Sequence, residues 1–230
     1  MAYLNLGLFS CYNPIEIDDS ILERLYGSKP VVIFKKKSFI TYEHQRIEQV
    51  IVVREGRVKT SSNTARGHEN LYEILYAPSV FGFQALYADE FEFSYPLLTA
   101  ITDVKASFYT LHEFQEIVDR EHELMKCFFK YMRSSLTTAR RQAGWACRLS
   151  SFEKTVLILI LTTYSYKDEE GYFSLTHDDL ACFAGTTRSK VTQSLNRLSE
   201  MGLIKTKYGK MKIIDGKKLH ELAKKIEDQL

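Results

Sequence analysis

Four local signals follow one another between Thr176 and Ile214, and they constrain the fold more than any other part of the sequence. Thr176 with Asp179 three residues later predicts a capped helix start, because each side chain can accept a hydrogen bond from the other residue's backbone. Gly185 predicts the end of this short helix, since glycine readily adopts the left-handed conformation that closes a helix. The segment therefore begins with a short, well-bounded helix.

A second helix is predicted to start at Thr186 or Thr187 and to end near Met201. Its apolar residues fall on one helical face: Val191, Leu195 and Leu198. A β-hairpin is predicted from residue 203 to residue 214, and it carries the lysines Lys205, Lys207, Lys210 and Lys212. The order helix, glycine turn, helix and basic hairpin is typical of a winged helix-turn-helix.

A helix-turn-helix binds its second helix in the major groove of DNA. Arg188 can donate two hydrogen bonds to guanine, Gln193 suits adenine, and hydroxyl groups near the start of the helix suit phosphates. The predicted DNA-contacting residues are Thr176, His177, Thr186, Thr187, Arg188, Ser189, Lys190, Gln193, Arg197 and Lys210. The alternative interpretation is a helical hairpin whose lysines serve only solubility, and the order of the four signals argues against it.

The charge of the chain is unevenly distributed, although the whole sequence has a net charge of only +2. Residues 1–132 hold 14 Lys and Arg against 18 Asp and Glu, a net charge of −4. Residues 133–230 hold 17 against 11, a net charge of +6. Because basic domains attract polyanions, this asymmetry agrees with a DNA-binding C-terminal part.

Short apolar runs separated by turn residues occupy residues 30–110, which predicts a β-barrel or jelly roll. The predicted strands are Val31–Phe34, Gln49–Arg54, Arg57–Thr60, Leu71–Tyr76, Leu97–Ile101 and Lys105–Thr110. Turns are predicted at Glu55–Gly56, Ala77–Pro78 and Gly82.

One long helix is predicted from about His112 to Cys147. It carries apolar residues at alternating spacings of four and three, which we call the seam: Met125, Phe129, Met132, Leu136, Ala139, Ala143 and Ala146. A seam of this kind over three heptads predicts a partner helix, and so a homodimer. The alternative is a single long helix lying on its own barrel.

The predicted fold class is α+β with three parts. Residues 1–110 form a sensor barrel, residues 111–148 a dimerisation and coupling helix, and residues 149–230 the winged helix-turn-helix. Ser150 with Glu153 forms a second capping box, which predicts that a new helix starts after a short hinge. The segment Tyr172–Leu175 is predicted as a short strand.

The segment Thr176–Ile214 resembles the winged helix of the cyclic-AMP receptor and fumarate-nitrate regulator family, Crp-Fnr, and the likeness extends back to about Val52. The resemblance implies a cytoplasmic homodimer that binds palindromic double-stranded DNA and controls transcription through contacts with RNA polymerase, and it implies no enzymatic activity. An activator is the expectation, and a repressor is the open alternative. The family's recognition-helix arginine falls on Arg188, whereas its next glutamate falls on Ser189 and its second arginine on Gln193. The operator is therefore expected to differ from the family consensus.

The sensor part departs further from the resemblance. Cyclic-nucleotide binders of this family carry a Glu and an Arg where this chain has Phe83 and Phe93, and of that set only Ser94 is kept. Because a buried phosphate without a counter-charge is very unfavourable, cyclic AMP is not expected to bind. The haem and iron–sulfur branches have N-terminal ligands that this chain lacks, so no cofactor is expected.

The predicted effector pocket consists of Phe83, Gln84, Phe93, Ser94 and Tyr95. It would take a small apolar or aromatic effector, or the aromatic rings would fill it and leave the regulator without an effector.

Two other hypotheses remain open. Cys11 and Cys182 are the candidate pair for a thiol redox switch. The simpler alternative is that all four cysteines are reduced and mostly buried. A cupin-type metalloenzyme is the alternative of another class, since His44 and Glu48 resemble part of a cupin ligand set. Tyr42 stands where a second histidine is expected, so no metal site is predicted.

The sequence contains neither a secretory signal nor an apolar run long enough to span a membrane, which predicts a cytoplasmic protein.

Overall fold

The computed structural model describes residues 2–4, 15–27, 29–63, 69–87, 95–162, 169–173 and 175–229. Contacts divide the chain into two units, Met1–Leu136 and Thr137–Leu230. The boundary between them falls within the longest helix. Within the described ranges, no helix combines the length and apolar character needed to cross a lipid bilayer.

Where the structure describes the first unit, it consists of strands and three α-helices. The strands are β1 Ala2–Leu4, β2 Ile15–Ile17, β3 Val32–Phe34, β4 Phe39–Thr41, β5 Gln49–Glu55, β6 Arg57–Asn63, β7 Glu69–Tyr76, β8 Ser79–Phe81, β9 Leu97–Ala100 and β10 Val104–Thr110. The helices are α1 Asp19–Tyr26, α2 Leu111–Arg120 and α3 His122–Arg148, and a 3₁₀ turn spans Phe83–Ala85. The six strands predicted from the sequence are all present.

Two four-stranded antiparallel sheets form the centre of this unit, in the orders β3-β10-β5-β8 and β4-β9-β6-β7. In the described residues each sheet keeps its own edges, so the two sheets form a jelly-roll-like arrangement, one of the two forms that the sequence predicts. Side chains of both sheets share one apolar core, which includes Val53 on β5 and Leu98 on β9. Burying this common core holds the sheets together.

Strand β5 is buried on both faces, and one of these faces packs against the helices. Its residues Ile51 and Val53 face the core between the sheets, whereas Val50 and Val52 belong to a second core with residues of α1, α2 and α3. Because both faces of the strand are buried, its sequence is a continuous apolar run without polar alternation. The sheet that contains β5 is thus covered by the other sheet on one face and by helices on the other.

The helical segment predicted as one long helix consists of two helices, α2 and α3, separated at Glu121. Glu121 has φ −114° and ψ 81°, which is not a helical conformation. Its carboxylate forms an ion pair at 2.7 Å with Arg24 of α1. This contact joins residues far apart in sequence, and no proline or glycine marks the break, so the local pattern does not reveal it.

The second unit contains the C-terminal part of α3 and the elements α4 Ser151–Thr162, α5 His177–Ala184, α6 Arg188–Glu200, β11 Ile204–Lys207, β12 Lys210–Ile213 and α7 Gly216–Glu227. The predicted capping box at the start of α4 is present, because Ser150 Oγ accepts from the Glu153 backbone at 3.3 Å and Glu153 accepts from the Ser150 backbone at 2.8 Å. The predicted strand Tyr172–Leu175 is corrected, since its described residues form only a single β-bridge, between Phe173 and Met211.

Candidate nucleic-acid interface and sensor pocket

Helix α5 begins and ends as its sequence predicts. Thr176 Oγ1 accepts a hydrogen bond from the Asp179 backbone at 3.0 Å, and Asp179 Oδ2 accepts from the Thr176 backbone at 3.0 Å. Gly185 closes the helix with φ +57°, a conformation that costs glycine little because it has no Cβ. The chain thereby turns sharply from α5 into α6.

Thr187, and not Thr186, caps α6. Its hydroxyl accepts a hydrogen bond from the Lys190 backbone at 3.4 Å. Thr186 is half-buried, and its hydroxyl lies 2.7 Å from the hydroxyl of Ser151 on α4. Thr186 therefore connects the turn to α4, which makes it the least exposed of the predicted DNA-contacting residues in this turn.

Helix α6 has one buried and one exposed face. Val191, Leu195 and Leu198 are at most 1% exposed, as predicted. The exposed residues include most of the predicted DNA-contacting set: Thr187, Arg188, Ser189, Lys190, Gln193 and Arg197. Their backbone N–H groups and basic side chains at the start of α6 form a positive surface suited to an anion.

Arg188 lies at the start of α6 with its side chain 69% exposed. Its Nη1 atom is 3.6 Å from Asp178 Oδ2, on the neighbouring helix α5. An exposed ion pair at this distance contributes little stability, so the guanidinium can exchange this partner for another acceptor. His177 joins the same two helices, because its Nδ1 atom lies 2.9 Å from Thr192 Oγ1.

The basic residues farther from the start of α6 are engaged inside the unit. The Arg197 guanidinium lies 4.1 Å from the centre of the Phe152 ring. In the hairpin β11–β12, Lys207 forms an ion pair with Glu170 at 2.9 Å, and this hydrogen bond raises the pKa of Lys207. Lys212 donates to the Glu170 backbone carbonyl at 2.7 Å. Of the four hairpin lysines, Lys205, Lys207 and Lys210 are exposed and Lys212 is half-buried. The contact of this hairpin with DNA stays a prediction.

Of the predicted effector pocket the structure describes Phe83, Gln84 and Tyr95, and it places Phe83 and Tyr95 in different cores. Phe83 stacks on Phe128 of α3 with ring centres 4.2 Å apart and meets Tyr131 edge-on at 5.4 Å. Tyr95 belongs to the other core, where it stacks on Phe81 at 5.9 Å and donates to the Gln49 carbonyl. The predicted residues Phe93 and Ser94 lie outside the described residues.

A different depression lies beside Phe83, between the 3₁₀ turn and the helices α2 and α3. It has a volume of about 220 Å³, and we call it the sensor groove. It is lined by Phe83, Gln84, Leu86, Tyr87, Val118, Met125, Phe128, Phe129 and Met132. Sequence reasoning found Phe83 and Gln84 but missed the other lining residues as pocket residues, because nothing in the local pattern indicates that α2 and α3 pack against this turn.

A polar pair, Tyr131 and Glu73, lies at the second core, the one that β5 shares with the helices. The Tyr131 hydroxyl donates to Glu73 Oε1 on β7 at 2.6 Å. Burial raises the pKa of Glu73 to about 7, and the hydrogen bond from Tyr131 opposes part of this increase. Burial and the nearby Glu73 carboxylate raise the pKa of Tyr131, so its hydroxyl stays protonated and acts as the donor. The pair links strand β7 to helix α3.

The seam on α3 lies largely on the surface of the chain. Phe129, Met132 and Leu136 are 70%, 50% and 55% exposed. Ala139 and Ala143 continue this face and are also exposed, Met125 is half-buried, and the side chain of Ala146 is not described. Large apolar side chains at such spacing and exposure are typical of a surface that a partner covers.

The residues of the redox and metal hypotheses differ in burial, and one of them is not described by the structure. Cys11 lies outside the described residues, and Cys182 is half-buried on α5. Cys127 is buried, and this burial raises the pKa of its thiol to about 11. Tyr42, His44 and Glu48 are exposed, and within the part of the chain that the structure describes no three metal-ligating side chains cluster.

Both halves of the chain match known protein families. Residues 31–121 match the cyclic nucleotide-binding domain, and residues 155–222 match the Crp-like helix-turn-helix domain. The transcriptional regulator SdrP of Thermus thermophilus is 30% identical over 175 residues, which cover 74% of this chain and 82% of that protein.

Two solved structures illustrate the shared fold. A transcriptional regulator of the CRP/FNR family from Thermus thermophilus has 25% sequence identity and a TM-score of 0.64, over 85% of this chain and 98% of that chain. FixK2 from Bradyrhizobium japonicum has 18% identity and a TM-score of 0.69, over 85% of this chain and 98% of that chain.

Proposed function

We propose, from the premise that this chain belongs to the Crp-Fnr family of transcription regulators, that it acts as a homodimer on palindromic double-stranded DNA. It acts by binding and not by catalysis, and it contacts RNA polymerase when it is bound. The observation that carries this proposal is the start of α6, where Arg188, Ser189 and Lys190 are exposed beside the backbone N–H groups of the helix. A two-fold pair of such helices matches successive major grooves of one duplex.

Selection of bound duplexes from a random pool tests this function. We expect two inverted half-sites with centres about one helical turn, roughly 10 base pairs, apart. A protein that shows no salt-sensitive preference for any duplex would contradict the proposal, because phosphate contacts by basic residues make specific binding fall with rising salt.

The variant Arg188→Ala is expected to lower affinity for the selected operator by about 1–3 kcal/mol and to relax specificity at one base pair of each half-site. The reason is the loss of two hydrogen bonds to one base. Binding is measured by fluorescence anisotropy on the operator and on its single-base variants. Arg120→Ala, which removes a similarly exposed arginine from α2, is the matched control and should leave the affinity unchanged.

The variant Lys210→Ala is expected to weaken binding to all duplexes alike and to reduce the slope of log K against log salt by about one unit. Lys210 lies at the start of β12 and is exposed, so it suits a phosphate and not a base edge. Lys36→Ala removes an exposed lysine from the first unit and serves as the control. A loss confined to one operator sequence would assign Lys210 to a base instead.

The signal is proposed to be a small apolar or aromatic molecule, and cyclic AMP is proposed not to bind. Phe83 supports this, because its ring is packed between Phe128 and Tyr131 and offers no polar group to a ribose. An anionic phosphate placed here would lose its hydration without gaining a counter-charge.

A further inference from the structure

Asp178 is an exposed carboxylate beside the residues that are proposed to contact DNA. Its side chain is 65% exposed, and its Oδ2 atom lies 3.6 Å from Nη1 of Arg188 on α6. Within the ranges that the structure describes, Arg188 is the only side chain that pairs with it. The phosphates of a duplex repel a carboxylate at this place, so Asp178 opposes DNA binding unless it acts on a neighbouring group.

The start of helix α5 is closed by the residue after Asp178. Asp179 Oδ2 accepts from the Thr176 backbone N–H at 3.0 Å, which completes the capping box. Asp178 lies in the first turn of α5, where the helix dipole slightly favours a negative charge. This effect would stabilise α5 equally with every duplex. A role of Asp178 in base recognition must therefore appear in the discrimination between bases.

The backbones that carry Asp178 and Arg188 are joined by hydrogen bonds of other side chains. Thr192 Oγ1 donates to the Arg188 carbonyl at 2.9 Å. Because this hydroxyl has a single proton, His177 Nδ1 is the donor in the 2.9 Å contact between His177 and Thr192. His177 precedes Asp178 in the chain. The Asp178 carboxylate therefore stays within reach of the guanidinium even when the ion pair opens.

A carboxylate held in this way restricts the side chain of the arginine that pairs with it. A guanidinium is planar and has five N–H groups, so the contact of Arg188 Nη1 with Asp178 leaves other N–H groups for O6 and N7 of one guanine. A restricted side chain loses less conformational freedom when it binds a base. The pair is thus suited to orient Arg188 before DNA arrives.

The effect of the pair depends on water. In the free protein both side chains are exposed, and the ion pair contributes little stability. A duplex that lies on α6 excludes water, which strengthens the attraction between the two charges. If Arg188 turned from a mismatched base to a phosphate, it would leave the Asp178 carboxylate unpaired beside the DNA, which is unfavourable. Asp178 therefore disfavours the sequence-independent contact of Arg188.

We propose that Asp178 is a positioning residue for base recognition, which holds the Arg188 guanidinium towards one base edge and prevents it from turning to a phosphate. This inference rests on the proposed function, in which Arg188 bonds a base. Asp178 thereby raises the discrimination at one base pair of each half-site and lowers the affinity for unrelated duplexes.

The variant Asp178→Asn tests this role, because the amide keeps the shape of the carboxylate without its charge. Arg188→Ala first identifies the base pair that Arg188 reads, as the position where discrimination among single-base variants of the selected operator is lost. At this base pair Asp178→Asn is expected to lower the discrimination about five-fold, the effect of one long side chain left unrestrained. The affinity for a random duplex should rise about two- to three-fold, since one repulsive charge is gone. Fluorescence anisotropy with the full-length protein measures both quantities.

Glu200→Gln is the matched control for the change of charge. It removes an exposed carboxylate from the C-terminal end of α6, roughly 18 Å along the helix from Arg188. It should leave the discrimination at every base pair within about two-fold of the wild-type value. Unchanged discrimination in Asp178→Asn, or an equal loss at every base pair, would overturn the proposal. Discrimination is a ratio of affinities of one protein, so partial unfolding of a variant does not alter it.

The double variant Asp178→Asn, Arg188→Ala separates positioning from direct contact. If Asp178 acts through Arg188, the double variant discriminates at each base pair as Arg188→Ala does. A further loss at any base pair would mean that Asp178 itself accepts a hydrogen bond from a base, such as cytosine, and would overturn the positioning role. An Arg188→Ala protein that keeps the discrimination at every position would overturn it too. Failure to select any operator would defeat the proposed function together with this inference, whereas an operator that Asp178→Asn reads as the wild type does would defeat this inference alone.

Discussion

The variant Leu136→Asp is expected to convert the protein into monomers and to lower its affinity for a two-half-site operator by about 10²–10⁴-fold. Leu136 is 55% exposed and lies at the centre of the seam, between Met132 and Ala139. Two aspartates brought together at this position by a two-fold axis would be desolvated and would repel each other. Each monomer would then bind a half-site alone, without the high effective concentration that the first bound half gives to the second.

Analytical ultracentrifugation of the free protein and anisotropy on whole and half operators measure the two effects separately. Ile214→Asp is the matched control, because Ile214 is an equally exposed apolar residue off the seam, also at 55%. It should leave the sedimentation coefficient unchanged. A dimer that survives Leu136→Asp would show that α3 is covered by something other than a second copy of itself.

Local signals predicted most of the second unit, since each of its boundaries depends on residues next to it in sequence. The cap at Thr176, the turn at Gly185 and the buried face of α6 are all present where the sequence places them. Helix α7 was missed although its signal is of the same kind: Asp215 caps it by accepting from the Lys218 backbone at 3.0 Å. Its buried residues Leu219, Ala223 and Ile226 recur at helical spacing.

Features that depend on distant residues could not be predicted in the same way. Phe83 was expected in a pocket with Tyr95, but the two rings point into opposite cores on the two faces of the sheet that contains β5. The partner of Phe83 is Phe128, and its choice depends on how α3 lies against that sheet. The pairing of Lys207 with Glu170 is similar, because the two residues are 37 positions apart. Tertiary packing decides such contacts, and a single sequence gives no local sign of it.

Stability of the first unit is expected to fall by about 2–3 kcal/mol between pH 4.5 and pH 8 through the titration of Glu73 alone. Burial holds the pKa of Glu73 near 7 in the native state, against a value of 4.5 for an unperturbed glutamate. Below pH 4.5 the residue is protonated in both the native and the unfolded state, so this group adds no pH dependence. As the pH rises from 4.5 to 7 the unfolded state loses its proton while the native state retains it, which favours unfolding. Above pH 7 the loss is complete.

The variant Glu73→Gln isolates this group, because an amide oxygen still accepts the Tyr131 hydrogen bond but does not titrate. The difference in unfolding free energy between wild type and variant should shift by about 2–3 kcal/mol against the wild type from pH 4.5 to pH 8. Taking the difference removes the contributions of other carboxylates, such as Glu113, whose pKa its hydrogen bond to Lys29 lowers to about 2.

Tryptophan fluorescence is not suited to following the unfolding of the first unit, because the single tryptophan, Trp145, lies in the second unit. Amide hydrogen exchange of β6 and β7, corrected for the intrinsic rate at each pH, reports on the unit that contains Glu73. Tyr131→Phe provides the complementary test, since it leaves the Glu73 carboxylate buried without its donor. It should raise the pKa of Glu73 further and move the midpoint of the stability change to higher pH. A free-energy difference that is constant with pH would mean that water reaches the Glu73 carboxylate in the folded protein.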